Sequence, residues 1–532
     1  MHWTDLISEV THLAQAGIAN PVITGVEYDS RRVGPGSVFV AMRGGTTDGN
    51  RFVAKAIELG ASGILTDSSD TFAELAAAHL EIPRLLVGHG RNALAQASAA
   101  FYGHPERRIK STGVTGTNGK TTTAFLIEAL LNAAHRSTIL VGTIEYHVAG
   151  ETRPSAHTTP ESRDLFELMA DGAARGATEL VMEVSSHALD QGRVAEVGYD
   201  VAVFTNLTRD HLDYHETMEK YFASKRLLFD GLHYPAPRVA VLNADDEYFA
   251  ALALASAQAK SENGEESGSH LVTYALQTRA DWCAKDLRLT PAGAEFMLCT
   301  PESKVTVQSN LAGEVNVLNL LAALAAAHAR GVPIAALIAA IPLLKPVPGR
   351  FQPVNAGQPF TVIVDYAHTD DALRNLTALA RQILANAASS EVANAPGGAS
   401  ERYSSTETSR VITLFGCGGD RDRTKRPKMG LAAGQGSDFV IVTSDNPRSE
   451  DPDSIIAEIL PGVTVTGTAF RVEPDRAKAI QLAIQQANLG DIVLIAGKGH
   501  EKEQILSTGS IFFDDMQVAL AVLNTLGYGA RP

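Results

Sequence analysis

The chain has 532 residues, and at roughly 100–200 residues per domain this length asks for about three domains and excludes a single core. With 45% hydrophobic and 20% charged residues it has ample apolar surface to bury and is neither fibrous nor largely disordered. Its 45 Lys and Arg against 60 Asp and Glu leave a formal charge of −15, which opposes partners such as nucleic acid or an anionic membrane, since both require a basic face.

The N-terminus, Met1-His2-Trp3-Thr4-Asp5, has no basic segment followed by an apolar run, so no signal peptide is expected. Residues 1–106 alternate short β-branched runs (22–26, 37–42, 63–66, 84–87) with Ala-rich helical patterns such as 52–59, which predicts a small α/β N-terminal domain. The turn- and charge-rich segment 103–108 marks a boundary. From residue 107 to 345 strand and helix patterns alternate, with strands at 109–115, 180–184, 201–206 and 238–243. This predicts a central domain with a P-loop-type, mostly parallel sheet and helices on both faces. Lys345-Pro346-Val347-Pro348-Gly349-Arg350 stops the preceding helix. Residues 346–532, with strands at 361–365, 411–415, 439–443 and 491–496, read as a Rossmann-like α/β C-terminal domain.

Two polar stretches, 261–270 and 386–409, look like mobile insertions rather than elements. The longest uncharged apolar run, Val332 to Leu344, is about 13 residues against the ~20 needed to cross a bilayer, so no membrane insertion is expected. The three cysteines, Cys283, Cys299 and Cys417, are too few and scattered for a disulfide framework or a four-ligand zinc site, which fits a reducing cytoplasm.

The strand at 109–115 runs into Gly116-Thr117-Asn118-Gly119-Lys120-Thr121-Thr122 and then an apolar helical pattern. Strand, glycine loop, Lys-Thr and helix is the order a nucleotide phosphate site needs. Glycines let backbone N–H groups approach phosphate oxygens, the helix adds its positive end, Lys120 neutralises charge and Thr121 can offer a hydroxyl to Mg²⁺. The strict G-x-x-x-x-G-K-[ST] pattern is not met, because Val114 stands where its first glycine belongs. Glu183 closes another apolar strand, and Thr205-Asn206-Leu207-Thr208-Arg209-Asp210-His211 closes the next. Carboxylates and imidazoles at successive strand ends share the edge where open α/β sheets bind ligands, and they suit Mg²⁺ held together with substrate phosphates. Lys225, on an apolar helical stretch, reads on its own as a surface lysine whose stem covers the core.

These stretches, continued by 313–319, Pro348-Gly349-Arg350-Phe351 and Asp365-Tyr366-Ala367-His368-Thr369, resemble the Mur ligases, the ATP-dependent amide-forming enzymes of peptidoglycan assembly. The resemblance runs through all three domains in order. Residues 158–162, 415–427 and 445–448 resemble the branch of the family that adds diaminopimelate as the third peptide residue. The resemblance implies that Gly116 to Thr122, Lys120 included, hold the phosphates of ATP as co-substrate. It implies two Mg²⁺ ions, one on Thr121 and Glu183, the other on His211 and a carbamylated Lys225. Asn316, Asn319, Arg350 and Asp365 correspond to adenine, ribose and phosphate contacts. Tyr28, Ser30, Gly45, Thr46 and Thr47 correspond to the uridine-diphosphate region, and Thr158, Thr159, Ser185, Gln191 and Arg193 to the muramoyl-peptide contacts. At position 157 related enzymes often carry Asn; here His157 can still donate one hydrogen bond.

For the amino acid, the resemblance points to Arg421, Asp445, Asn446, Pro447, Arg448, Gly497 and Glu501. The planar fork of Arg448 suits the carboxylate that distinguishes diaminopimelate from lysine, and Glu501 suits its distal ammonium. The implied partners are therefore ATP, the UDP-linked muramoyl dipeptide and meso-diaminopimelate, with the enzyme a cytoplasmic monomer. Two other readings fit parts of the pattern. A sister ligase, lysine-adding or of folylpolyglutamate synthase type, would keep the phosphate loop and Lys225 but lack Asp445-Asn446-Pro447-Arg448. A non-ligating P-loop switch would leave Arg448 and Glu501 without a purpose.

Overall fold

The computed structural model describes residues 1–45, 47–79, 81–259, 268–290, 293–393 and 409–529. The chain forms two compact units, residues 1–281 with 322–337 and residues 282–321 with 338–532.

The first unit holds two sheets. Strands β1 (Ala14–Ala16), β2 (Gly25–Glu27), β3 (Ser37–Ala41), β4 (Gly63–Thr66) and β5 (Arg84–Leu86) order as β1-β5-β4-β3-β2, and only β1 runs antiparallel. Strands β6 (Lys110–Thr115), β7 (Thr138–Val141), β8 (Glu145–Val148), β9 (Glu151–Pro154), β10 (Glu179–Glu183), β11 (Val201–Phe204), β12 (Val239–Asn243) and β13 (His270–Ala275) order as β13-β12-β11-β6-β10-β7-β8-β9. From β13 to β7 every pairing is parallel, and β8 and β9 add an antiparallel hairpin at the edge. Continuous apolar runs such as Val201-Ala202-Val203-Phe204, fully buried, are what a parallel strand covered on both faces requires.

The helix Gly90–Phe101 joins the two sheets. Ala93, Leu94 and Ala97 face the first core, while Ala95 and Ala99 face the second. Beside it, Arg163 pairs with Glu27 at 3.1 Å and Arg32 with Asp164 at 2.8 Å.

In the second unit β14 (Trp282–Thr290), β15 (Gly293–Cys299) and β16 (Lys304–Ser309) form an antiparallel meander. The expected parallel strand–helix alternation through Lys345 therefore does not hold here. A bulge between Lys285 and Arg288 throws the inside–outside alternation out of phase and hides the strand period in the sequence. A six-stranded sheet, from β17 (Gln352–Val354), β18 (Thr361–Asp365), β19 (Val411–Phe415), β20 (Phe439–Val442), β21 (Ala469–Val472) and β22 (Ile492–Ala496), has the order β17-β18-β22-β19-β20-β21, and only β17 is antiparallel. Of the stretches expected to be insertions, 261–267 and 394–408 lie outside the described residues. Residues 386–393 continue the helix Asp370–Ala393, and His270 opens β13, because Ala-rich and β-branched flanks extend the neighbouring elements.

His147 ties the β8 hairpin to the helix Lys120–Ala133: its Nδ1 lies 2.7 Å from Glu128 Oε2 and its Nε2 3.0 Å from Glu145 Oε1. Burial opposes charge on the ring, but the hydrogen bonds and charges of Glu128 and Glu145 outweigh it and raise its pKa to about 9. The folded state thus holds this proton more tightly than the unfolded chain, whose His titrates near ~6.5. The contribution is full below about pH 6.5 and is lost as pH rises through about 9. The melting-temperature advantage of the wild type over His147→Gln should be greatest near about pH 6 and largely gone by about pH 10; an advantage constant across that range would mean the ring's charge is not what stabilises.

Candidate active site

Strand β6 ends at the glycine loop. Gly116 has φ +149°, and a Cβ there would lie 1.9 Å from Thr205 Oγ1. Gly119, at φ +85°, begins the helix Lys120–Ala133 in left-handed backbone, which glycine adopts without the Cβ penalty. Side chains leaving β11 hold the loop: Thr205 Oγ1 donates to the Asn118 carbonyl at 2.6 Å, and Asn206 Oδ1 accepts from the Asn118 N–H at 2.9 Å. The Asn206 carbonyl accepts from Thr117 N–H at 2.8 Å. Lys120 folds back over the loop, its Nζ donating to the Gly116 and Thr117 carbonyls at 2.9 Å each. Thr121 and Thr122 follow in the first helical turn, so N–H groups, a helix N-terminus and an ammonium group converge here.

Thr121 Oγ1 donates to Glu183 Oε2 at 2.9 Å. Glu183 is buried and also takes the Thr143 N–H at 2.7 Å and Thr143 Oγ1 at 3.1 Å. Thr143 was not expected from the sequence; its signal was its position just past β7 on the same sheet edge. Thr158 Oγ1 lies 3.0 Å from Thr143 Oγ1. Thr159 Oγ1 donates to the Glu183 carbonyl at 2.8 Å and accepts from the Ser185 N–H at 3.1 Å. Ser185 caps the helix Ser186–Gln191. Arg193 donates to Gln191 Oε1 at 2.8 and 3.1 Å and to the Thr159 carbonyl at 3.3 Å. The structure therefore gathers Thr121, Glu183, Thr158, Thr159, Ser185, Gln191 and Arg193. His157 takes part through its backbone, which pairs with the Tyr146 hydroxyl at 2.6 and 3.1 Å, while its side chain is exposed.

Lys225 is buried, not at the surface. Its Nζ donates to the Gly116 carbonyl at 2.7 Å and lies 4.6 Å from the centre of the Tyr221 ring. Burial, with the nearby Lys120 cation, pushes its pKa well below that of an ordinary lysine, against the opposing pull of Asp210. Tyr221, unremarked in the sequence, also meets Thr117 Oγ1 through its hydroxyl at 3.1 Å. His211 is exposed, with Nε2 3.5 Å from Asp210 Oδ2 and its ring centre 5.0 Å from that of His187.

Farther from the loop, the Tyr28 hydroxyl donates to Asp164 Oδ2 at 2.7 Å. Ser30 opens a short 3₁₀ turn capped by Asp29. Gly45 and Thr47 are exposed, and Thr46 lies outside the described residues.

In the second unit Asn316 and Asn319 sit three residues apart on the helix Glu314–Ala329; both are buried, and Asn316 Nδ2 donates to the Ala312 carbonyl at 2.9 Å. Arg350 stacks 4.5 Å from the centre of the Tyr366 ring. Asp365 accepts from the Phe351 and Ala367 N–H groups at 2.6 and 2.8 Å. Asn446 is the hub of a second group: its Nδ2 donates to Glu501 Oε2 at 2.8 Å and its carbonyl lies 3.4 Å from Arg448 Nη1. A Cβ on Gly418 would lie 2.9 Å from Arg448 Nη1 and 3.8 Å from Arg421 Cγ, and one on Gly497 2.7 Å from Asp445 Oδ2. Asp445, Asn446 and Pro447 are buried. Lys498, a member of the Gly497–Glu501 string that sequence reasoning passed over, is fully buried and donates to Asn446 Oδ1 at 3.0 Å and Glu501 Oε2 at 3.1 Å.

The loop geometry makes a direct test possible. Gly116→Ala places a methyl group against Thr205 in a backbone conformation that L side chains rarely adopt, and should lower unfolding free energy by about 2 kcal/mol or more in a denaturant melt. Stability equal to wild type would show that the loop backbone can relax.

The Mur ligase middle domain matches residues 114–327, the Mur ligase glutamate ligase domain residues 385–499, and the Mur ligase family catalytic domain residues 22–102. A protein of Solibacter usitatus named UDP-N-acetylmuramoyl-L-alanyl-D-glutamate--2,6-diaminopimelate ligase is 47% identical over 96% of this chain and 95% of its own length. One of the same name from Geobacillus kaustophilus is 42% identical, covering 96% of each. A solved structure with that name is 32% identical, covers 95% of both chains and superposes with a TM-score of 0.66. The chain belongs to the Mur ligase family.

Proposed function

We propose that this enzyme adds meso-2,6-diaminopimelate to UDP-N-acetylmuramoyl-L-alanyl-D-glutamate at the cost of ATP, in peptidoglycan synthesis. The observation that carries the amino-acid choice is the Asn446 hub, where a cation, Arg448, and an anion, Glu501, are held from one residue. A zwitterionic amino-acid end needs that pair of charges. L-lysine would leave the Arg448 side desolvated and unpaired, which rejects it strongly. The relatives reported above bear the name of this activity.

The chemistry follows from the carboxylate. Oxide is a poor leaving group, so the D-glutamyl carboxylate oxygen attacks the γ-phosphorus of ATP, ADP leaves, and an acyl phosphate results. The diaminopimelate amine then attacks its carbonyl carbon, inorganic phosphate departs and the amine loses a proton. Both reactants of the first step are anions, so Lys120, the loop N–H groups and the helix N-terminus must offset their repulsion. Thr121 and Glu183 present hard oxygen donors 2.9 Å apart, a set that fits Mg²⁺, and the ion when bound would neutralise phosphate charge. Among the described residues no three His, Cys, Asp or Glu side chains gather into a metal site, so phosphate and water oxygens would complete the shell. The second Mg²⁺ of this proposal rests on His211 and Lys225. Burial favours the uncharged form of the Lys225 amine, and that form can add CO₂ and lose a proton, giving a carbamate with oxygen donors in place of an ammonium.

The remaining roles of this proposal are those the family resemblance implies. Gly116 to Thr122 with Asn316, Asn319, Arg350 and Asp365 bind ATP. Tyr28, Ser30, Gly45, Thr46 and Thr47, with His157, Thr158, Thr159, Ser185, Gln191 and Arg193, bind the UDP-muramoyl dipeptide. Arg421, Asp445, Asn446, Pro447, Arg448, Gly497 and Glu501 bind the amino acid. We assign these to domains 1–106, 107–345 and 346–532 of a cytoplasmic monomer. Among the described residues no helix is long and apolar enough to cross a membrane.

Phosphate release with the UDP-muramoyl dipeptide should depend on meso-diaminopimelate and exceed that with L-lysine by about 10³-fold or more in kcat/KM; equal release with both would refute the amino-acid assignment. Arg448→Ala should raise the KM for diaminopimelate by about 10²-fold with the KM for ATP little changed. A shared rise in both constants would place Arg448 elsewhere.

A further inference from the structure

Strands β14 and β15 set Cys283 directly opposite Cys299 in antiparallel register. Residues so opposed have Cα atoms about 4.5–5.5 Å apart and side chains on one face of the sheet. A disulfide needs roughly 4.4–6.8 Å between Cα atoms, a spacing this pairing meets. The register sets the two side chains next to each other on one face, and burial, with Cys299 as neighbour, raises the Cys283 thiol. Both are free thiols, Cys283 half-exposed and Cys299 buried. Lys304 is the register partner of Cys299 on β16, and the charges of Lys285 and Lys304 pull against the rise at Cys283 without reversing it. The third cysteine, Cys417, is a built-in contrast. It is buried against the Met429 sulfur at 3.5 Å, and burial pushes its thiol up to about 12.

We propose that Cys283 and Cys299 form a reversible redox-modification site, distinct from the groups assigned to the ligase reaction. An accessible thiol beside a shielded one is the arrangement of an attacking and a resolving cysteine. With a hydroperoxide as oxidant, the Cys283 sulfur takes one peroxide oxygen, giving a sulfenic acid and, from hydrogen peroxide, one water. The Cys299 sulfur then attacks the Cys283 sulfur, the S–O bond breaks, and a second water leaves as the S–S bond forms. Two thiols thus lose two protons and two electrons, and one peroxide becomes two waters. A cellular dithiol reductant reverses the bond by exchange. A cross-strand link of this kind closes only the short segment between its ends, and its half-exposed sulfur keeps it open to reduction.

The full-length protein, oxidised at neutral pH, then denatured and alkylated with iodoacetamide, tests this by intact mass and peptide mapping. The reduced chain should take a carbamidomethyl group on each of its three cysteines. After hydrogen peroxide the chain should be labelled on Cys417 alone, with Cys283 and Cys299 peptides joined within one chain, and dithiothreitol should restore full labelling. A diamide arm forms disulfides without a sulfenic acid, so slow peroxide chemistry alone cannot mask the site. Cys283→Ser and Cys299→Ser should each abolish the internal link. Retention of both labels under both oxidants, a link to Cys417, or links only between chains would overturn the proposal.

Discussion

The proposed reaction centre of the first unit hangs from one constraint, the parallel pairing of β6 with β10 on one side and β11 on the other. The register sets Glu183 beside Val114 and Phe204 beside Thr115, so three strands end within a residue or so of one another. Their exits deliver the phosphate loop, a buried carboxylate and the Thr205-Asn206 pair to a single edge, the one toward which the following helix turns its N-terminus. A slip of one residue would send Glu183 to the other face. Once the register is fixed, Thr205 and Asn206 leave so little room beside the loop that only glycine fits at position 116.

A second constraint lies between the two sheets of that unit. Glu27 and Arg163 are buried and paired, with Arg32 and Asp164 extending the network to the Tyr28 hydroxyl. Burial raises the pKa of Glu27 despite the opposing pull of Arg163 and Arg32, so these charges are held at a desolvation cost. Deleting one partner of such a pair typically costs about 3–5 kcal/mol because the other charge is left stranded. The network therefore acts less as glue than as a register pin: the strand β2 and the helix Ser162–Ala174 can meet in one arrangement without an unpaired charge. Tyr28 and Thr159 are both tied into the same packed unit, which fixes in advance the stretches proposed to hold the two ends of one nucleotide-sugar peptide.

The sequence was most legible where one physical signal dominated. Parallel strands buried on both faces gave uninterrupted apolar runs, and 361–365 and 411–415 match β18 and β19 residue for residue. The glycine loop was readable because its backbone geometry admits few residue types. The meander β14–β16 was not, since its alternation is broken by a bulge and its charged outer face resembles loop. Thr143, Tyr221 and Lys498 escaped for another reason: each works through a neighbour brought close by the fold, and a threonine after a strand or a lysine between two glycines has no distinctive local pattern. Lys225 shows the limit most clearly. Its residue type and apolar neighbours fit a snorkelling surface lysine equally well, and only burial separates the two cases.

Burial of a cation is itself not enough to mark chemistry, as the buried cations of this chain demonstrate. Arg476 is fully buried, yet its Nη2 and Nε donate to the two Asp515 carboxylate oxygens at 2.6 and 2.8 Å, and Nη2 also to the Ala496 carbonyl at 3.0 Å. Arg426 is likewise held by Glu450 and Glu458, and Lys498 by Glu501 and Asn446. In each the charge is compensated where it sits by a carboxylate partner, and its work is structural or supportive. Lys225 has one carbonyl and one aromatic face and, among the described residues, no carboxylate at ion-pair distance. Desolvation and the Lys120 charge then outweigh the pull of Asp210, and the pKa of the amine falls well below that of an ordinary lysine. A net charge of −15 thus says nothing about where cations are stable. What sets Lys225 apart from Arg476, Arg426 and Lys498 is the missing carboxylate beside the phosphate loop, and the chemistry proposed for it uses that difference.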